Sequence, residues 1–352
     1  MSLPLPCISK ETSAKITNMG FFSAFLVLFI HLPITGNDSF LRHFNWYFSR
    51  RLGKIAVPFF FAASGYLLAG HFNERGWYRN AVTRRIRTLL CPMILWNLIY
   101  YFVFDHGIHT LCANLCFGRP WSSNLFAVPD WRTLARLFAI HPFAQPYLGV
   151  CWFIRSLFIL VLISPLLKRI ATPSVILLIW LTHGIVHPDY GVICTKAVFT
   201  FQEGFFSLFG ASYFLAGMYL RMHNVNGIVP HRLAFLGLMV SCLCIVARGS
   251  PWSPAWSRLL TWFYTPILLA SIWTFCPSMR SPDFLGKAAF PVYVLHPFVI
   301  QSFFRVAPCL QNDMSLTLYL AFGIGSFVVC IIAAAVMHYC LPSLSGVLFG
   351  GR

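Results

Sequence analysis

The stretch FFSAFLVLFIHLP, residues 21–33, decides the fold class. Every position in it except His31 suits a helix lying in lipid or in an apolar core. An imidazole at that depth without a polar partner costs on the order of several kcal/mol. Either His31 is bonded to a neighbouring helix for packing reasons, or the helix exists to present it.

The composition around that stretch is that of a membrane chain. Of 352 residues, 58% are hydrophobic, 17% aromatic and only 10% charged, whereas soluble domains carry about 25% charge. The expectation is an all-α, polytopic membrane protein with membrane lipids as its surroundings. The net charge of +17 comes from 26 Lys and Arg against 9 Asp and Glu. Such an excess can face anionic headgroups or anionic substrates, and with so much apolar length no nucleic-acid partner is expected. Twelve cysteines lie mostly in apolar runs, where a thiol acts as a small hydrophobe. Cys112 and Cys116 could pair, but no CxxC pattern accompanies them and no metal is expected. The opening, MSLPLPCISKETSAKITNMG, lacks the basic start, short apolar run and small-residue cleavage site of a signal peptide.

About 20 apolar residues cross the hydrocarbon, and ten candidate spans follow: near 20–35, 54–71, 88–105, 148–167, 173–187, 204–220, 233–247, 259–276, 288–304 and 315–340. Residues 1–19 then form a cytoplasmic N-terminal segment, 20–340 a single transmembrane domain and 341–352 a cytoplasmic tail. The basic segment RGWYRNAVTRRIR, residues 75–87, leans toward this sidedness under the positive-inside rule. SRRLGK, residues 49–54, argues against it unless it lies on an interfacial helix. The long connection 106–147 becomes an extracytoplasmic loop, whose Trp121, Trp131 and His141 suit sugars.

Few polar residues interrupt the apolar runs. The histidine pKa range suits His31 to general-base work near neutral pH. His296 precedes Pro297, and a proline inside a span frees one helical carbonyl, so a polar pocket beside that imidazole is expected. Arg84 and Arg87 stand three apart at a helix start, either as a headgroup-binding flank or as a two-pronged anion clamp. Arg155 lies inside the fourth span, as a snorkelling residue or an anion ligand. Glu203 borders a span start, and Ser64 and Gly65 could let two helices approach closely. Soluble-enzyme templates such as GxSxG, HExxH, Walker and GxGxxG loops find no suitable match.

Taken in order, these segments resemble acyltransferase family 3, the integral membrane acyltransferases of bacterial surface sugars. FFSAFLVLFIH resembles the family's first helix, and VPFFFAASGYLL, residues 57–68, its second. Arg84 and Arg87 match its RxxR, Trp152 and Phe153 with Ser164 to Leu167 its WF helix ending in SPLL, and FPVYVLHPFV its YxxH segment. The likeness runs from about residue 18 to 340. One departure is Gly20, where the family commonly has an arginine eleven residues before the histidine; Lys15 is the nearest base upstream. The resemblance implies acyl transfer, most simply acetyl transfer, from cytoplasmic acyl-CoA to a hydroxyl of a surface or lipid-linked carbohydrate, in the bacterial cytoplasmic membrane. It implies His31 and His296 as catalytic, Arg84, Arg87, Arg155 and Lys15 as donor-binding, and Ser64, Trp152 and Glu203 as substrate-binding. The competing class is a transporter or flippase of an anionic or sugar-linked lipid, though no inverted repeat is visible.

Overall fold

A computed structural model describes residues 8–34, 38–108, 129–141, 144–186, 206–225, 229–248, 255–279, 283–306 and 314–351. Among these the secondary structure is helical, without a strand. Several helix entries are set by short polar side chains that accept from otherwise orphaned backbone N–H groups. Ser9 caps α1 (Lys10–Ile30) through Thr12 N, and Asp38 caps α2 (Ser39–Phe48) through Phe40 and Leu41 N. A short 3-10 turn, Leu52–Ile55, leads into α3 (Ala56–Ala69). The next helical run starts as α4 (Trp77–Arg85), passes a wider π turn at Ile86–Leu90 and continues as α5 (Cys91–Ile99). After α6 (Trp131–Leu137) come α7 (Trp152–Leu162), α8 (Ser164–Ile170), α9 (Pro173–Val186), α10 (Leu208–Met222), α11 (His231–Arg248) and α12 (Ala255–Phe275). The last three are α13 (Asp283–Val306), α14 (Leu316–Cys340) and α15 (Pro342–Leu348).

Among the described residues, four helical stretches are long and apolar enough to cross a membrane: Lys10–Ile30, Ser39–Ala69, Trp77–Phe104 and Leu316–Cys340. The pair Gly149–Leu162 and Ser164–Ile170 makes a fifth, bent by 70°. Pro165, at the start of α8, cannot donate to the preceding turn, and this breaks the expected fourth span. Three apolar helices, Pro173–Gly184, His231–Ala247 and Trp262–Phe275, are shorter. The first helix begins ten residues before the expected span because Ser9 starts it in the polar flank.

Helix α1 packs chiefly on α13 and α3 and also touches α14. Phe21 and Phe25 both set their edges against Phe327 of α14, at 5.2 and 5.1 Å between ring centroids. Near the other flank, Asn18 donates to the carbonyls of Pro277 and Met279 at 2.8 and 3.0 Å. Helices α3 and α10 meet backbone to backbone through small residues, the arrangement expected where Gly lets helices approach in lipid. A Cβ added at Gly65 would collide with the Phe214 carbonyl, and one at Gly217 with the Ala62 carbonyl. Relief would require the two helix backbones to separate, since neither obstacle is a movable side chain. Gly217→Val is therefore expected to cost more than the ~1–3 kcal/mol of ordinary overpacking. Size-exclusion yield and thermal unfolding of the purified variant check this; a wild-type profile would refute it.

Candidate functional site

His31 is the residue at which α1 ends. Its backbone N–H caps the helix on the Leu28 and Phe29 carbonyls, and its side chain is exposed. Its ring lies 5.1 Å from that of His296, tilted by 36°. His296 is fully buried in the middle of α13. Its Nδ1 lies 3.2 Å from the Val292 carbonyl and also reaches that of Tyr293. The Tyr293 carbonyl is the one that Pro297, lacking an N–H, leaves without its helical donor. Since both partners are acceptors, Nδ1 carries the proton and Nε2 is the lone-pair nitrogen. Nε2 is buried and makes no hydrogen bond among the described residues. The site thus holds one accessible imidazole and one buried imidazole with an unused acceptor.

Helix α13 presents a second polar group on the same face. Tyr293, three residues before His296, donates its hydroxyl to the Val150 carbonyl in the turn that opens α7. Phe153 packs against the Tyr293 ring at 5.7 Å and against Phe61 of α3 at 4.8 Å. Trp152, half-buried, lies 6.5 Å from Phe61, and Ser64 follows Phe61 by one helical turn. Trp152 and the Phe61 turn of α3 are thus linked to Tyr293 through Phe153.

The end of α1 is held by a network that the sequence did not disclose. The Tyr319 hydroxyl on α14 donates to the Phe29 carbonyl at 3.3 Å and accepts from Asn45 Nδ2 at 2.6 Å. Ser49 Oγ lies 2.8 Å from the same oxygen. All three side chains are buried, so two residues before His31 the backbone is tied to α2 and α14 at once. Asn45 and Ser49, at i and i+4 behind the Asp38 cap, share a helix face, which a sequence reading could have picked out. Their partner, more than 250 residues away, could not be inferred this way.

The basic residues occupy different places. Lys15 pairs with Glu11 at 3.5 Å and stands sixteen residues before His31, about 24 Å along the helix axis at 1.5 Å per residue. Arg84 and Arg87 are both exposed, on the segment whose first turns touch the lower end of α7, where the Tyr78 hydroxyl donates to the Leu162 carbonyl at 2.9 Å. Both stay exposed across the π turn that starts at Ile86, with Arg85 between them half-buried. Arg155 is buried and donates to the backbone carbonyls of Ala139, His141 and Ala144 at 3.3, 3.0 and 3.0 Å. Its guanidinium ties the turn after α6 to α7. Glu203, Trp121, Cys112 and Cys116 lie outside the described residues.

The comparisons with known proteins agree with the family resemblance of the sequence. The acyltransferase family 3 model, described as an acyltransferase domain, matches residues 15–335. The succinoglycan biosynthesis protein ExoH of Rhizobium meliloti (strain 1021) is 29% identical over 266 residues, which cover 71% of this chain and 66% of that protein. The chain thus matches just under two thirds of that relative's length. No solved structure matches. With the family match extending over most of the sequence, and with its apolar helices, the chain belongs to acyltransferase family 3, as a multi-pass membrane protein.

Proposed function

We propose that the protein moves an acyl group, acetyl in the simplest case, from cytoplasmic acyl-CoA to a hydroxyl of an extracytoplasmic or lipid-linked carbohydrate, while crossing the bacterial cytoplasmic membrane ten times. The observation that carries this reading is the pairing of accessible His31 with buried His296. In it, a His31 ring nitrogen takes the proton of the acceptor hydroxyl as that oxygen adds to the thioester carbonyl. Collapse of the adduct breaks the C–S bond, and the departing thiolate recovers the proton from the imidazolium. The His296 lone pair at Nε2 offers His31 an acceptor that would fix its tautomer, the part a carboxylate plays in other histidine sites. The name of the relative, a succinoglycan biosynthesis protein, supports a carbohydrate acceptor.

Arg84 and Arg87 fit the donor's phosphates, because both guanidinium groups are exposed on one basic segment with Arg75 and Arg79. Lys15 lies in the N-terminal part of α1 and is assigned to the donor with them. The reading is tested by thiol release from acetyl-CoA, supplied to purified protein in lipid nanodiscs with host glycolipid extract. No thiol release above that of a His31→Ala control would sink it. Replacing Arg87 by Lys keeps the charge and loses the fork, so Arg84→Lys and Arg87→Lys are each expected to raise KM for acetyl-CoA by roughly tenfold, equivalent to about 1.4 kcal/mol. An unchanged KM in both would remove these residues from the donor site.

A further inference from the structure

The turn after α2 carries two adjacent arginines with opposite fates. Arg51 is buried, with its guanidinium 4.0 Å above the Trp46 ring. Arg50 points outward and is exposed. Its side chain makes no hydrogen bond or ion pair among the described residues. We propose that Arg50 is the anion-binding residue of the histidine end of the bundle, where it takes a phosphate or carboxylate oxyanion of the acceptor.

The position of Arg50 is built. Its backbone N–H donates to the Asn45 carbonyl at 3.0 Å, and the preceding residue, Ser49, belongs to the Tyr319 network that also grips the Phe29 carbonyl. Three residues on, Gly53 sits so close to Ile30 that an added Cβ would lie 2.7 Å from its Cγ1. The arginine is therefore pinned on both sides to the last residues of α1, and its charge bears on both His31 and the Tyr319 hydroxyl. The positive charge of Arg50 is thereby held beside the end of α1, where an oxyanion would compensate it. Asp38 does not supply it, because its carboxylate caps α2. Arg42 and His43, also exposed, and half-buried Lys54 add to the positive rim.

A guanidinium matches a phosphate or a carboxylate with two parallel N–H···O bonds. With the donor's phosphates assigned to Arg84 and Arg87, and with His31 about 24 Å along α1 from Lys15, the anion at this end is the acceptor's. It is either the diphosphate of a lipid-linked glycan or the carboxylate of an acidic sugar. This assignment of source rests on the proposed role of His31; the binding of an oxyanion at Arg50 does not.

The test uses the full chain in nanodiscs of zwitterionic lipid, with no acyl-CoA present. Arg84→Gln/Arg87→Gln serves as the parent, so that the proposed donor clamp contributes no binding. Inorganic pyrophosphate and glucuronate are titrated separately by calorimetry. The parent is expected to bind at least one of them, Arg50→Ala added to it to weaken binding at least tenfold, and Arg50→Lys to lose only part of it. Tighter binding of pyrophosphate assigns the lipid-linked diphosphate, and tighter binding of glucuronate the acidic sugar. A parent that binds neither anion, or an Arg50→Ala variant that binds as the parent does, overturns the proposal. Because turnover plays no part, an absence of thiol release from acetyl-CoA would count against the acyl-transfer reading alone.

Discussion

Replacing His31 by alanine is expected to slow acyl transfer by about 10²- to 10⁴-fold, the usual contribution of a general base, and to leave the folded yield unchanged. The separation of the two effects follows from where the residue sits. The cap of α1 is made by the backbone N–H of His31, which alanine retains. The packing at this end is carried by its neighbours, since Phe29 and Leu32 are buried at 1% and 2% exposure while the imidazole is exposed. The Tyr319 hydroxyl holds the Phe29 carbonyl and not the histidine side chain. Truncation removes a reactive nitrogen and little apolar contact. Folded yield and thiol release from acetyl-CoA, measured on the same preparation, decide the matter. Normal yield with normal activity would end the catalytic assignment, and a loss of yield would return His31 to a packing role.

Much of this was legible because an ionisable group in an apolar run stands out. His31 and His296 were both singled out by that contrast, and Pro297 pointed to a freed carbonyl, which the structure identifies as that of Tyr293 and places within reach of His296 Nδ1. Ser64 and Gly65 suggested a close helix approach; at Gly65 the partner is the backbone of α10. Arg155 shows where single-sequence reading stops. An arginine within a span looks the same whether it waits for an anion or is held by the carbonyls of Ala139, His141 and Ala144. Tyr319 shows the converse, since one hydroxyl in an apolar helix gives no sign of its partners on α1 and α2. The π turn at Ile86 is likewise a matter of tertiary fit and is absent from the spacing of Arg84 and Arg87.

The two histidines are expected to behave as one unit, so that the double variant His31→Ala/His296→Ala transfers acyl groups no more slowly than His31→Ala alone. His296 is too deeply buried to meet substrate, and Nδ1 is already spent on its own helix. What remains is Nε2, unpartnered among the described residues, with the His31 ring 5.1 Å away. A group so placed acts through its neighbour. His296→Ala is expected to lower kcat per folded molecule by about 10- to 100-fold, within the range of roughly 0.5–3 kcal/mol for coupling between contacting residues. Once His31 is gone there is no imidazole left to orient, and the second substitution should change the residual rate by less than about twofold. Removing a buried ring also leaves a cavity and lowers stability, so rates are normalised to the folded fraction recovered by size exclusion. A merely structural His296 would reduce that fraction and leave kcat of the surviving molecules intact. If, in the double variant, the full cost of His296→Ala is instead multiplied onto that of His31→Ala, the two imidazoles act independently and the dyad is wrong.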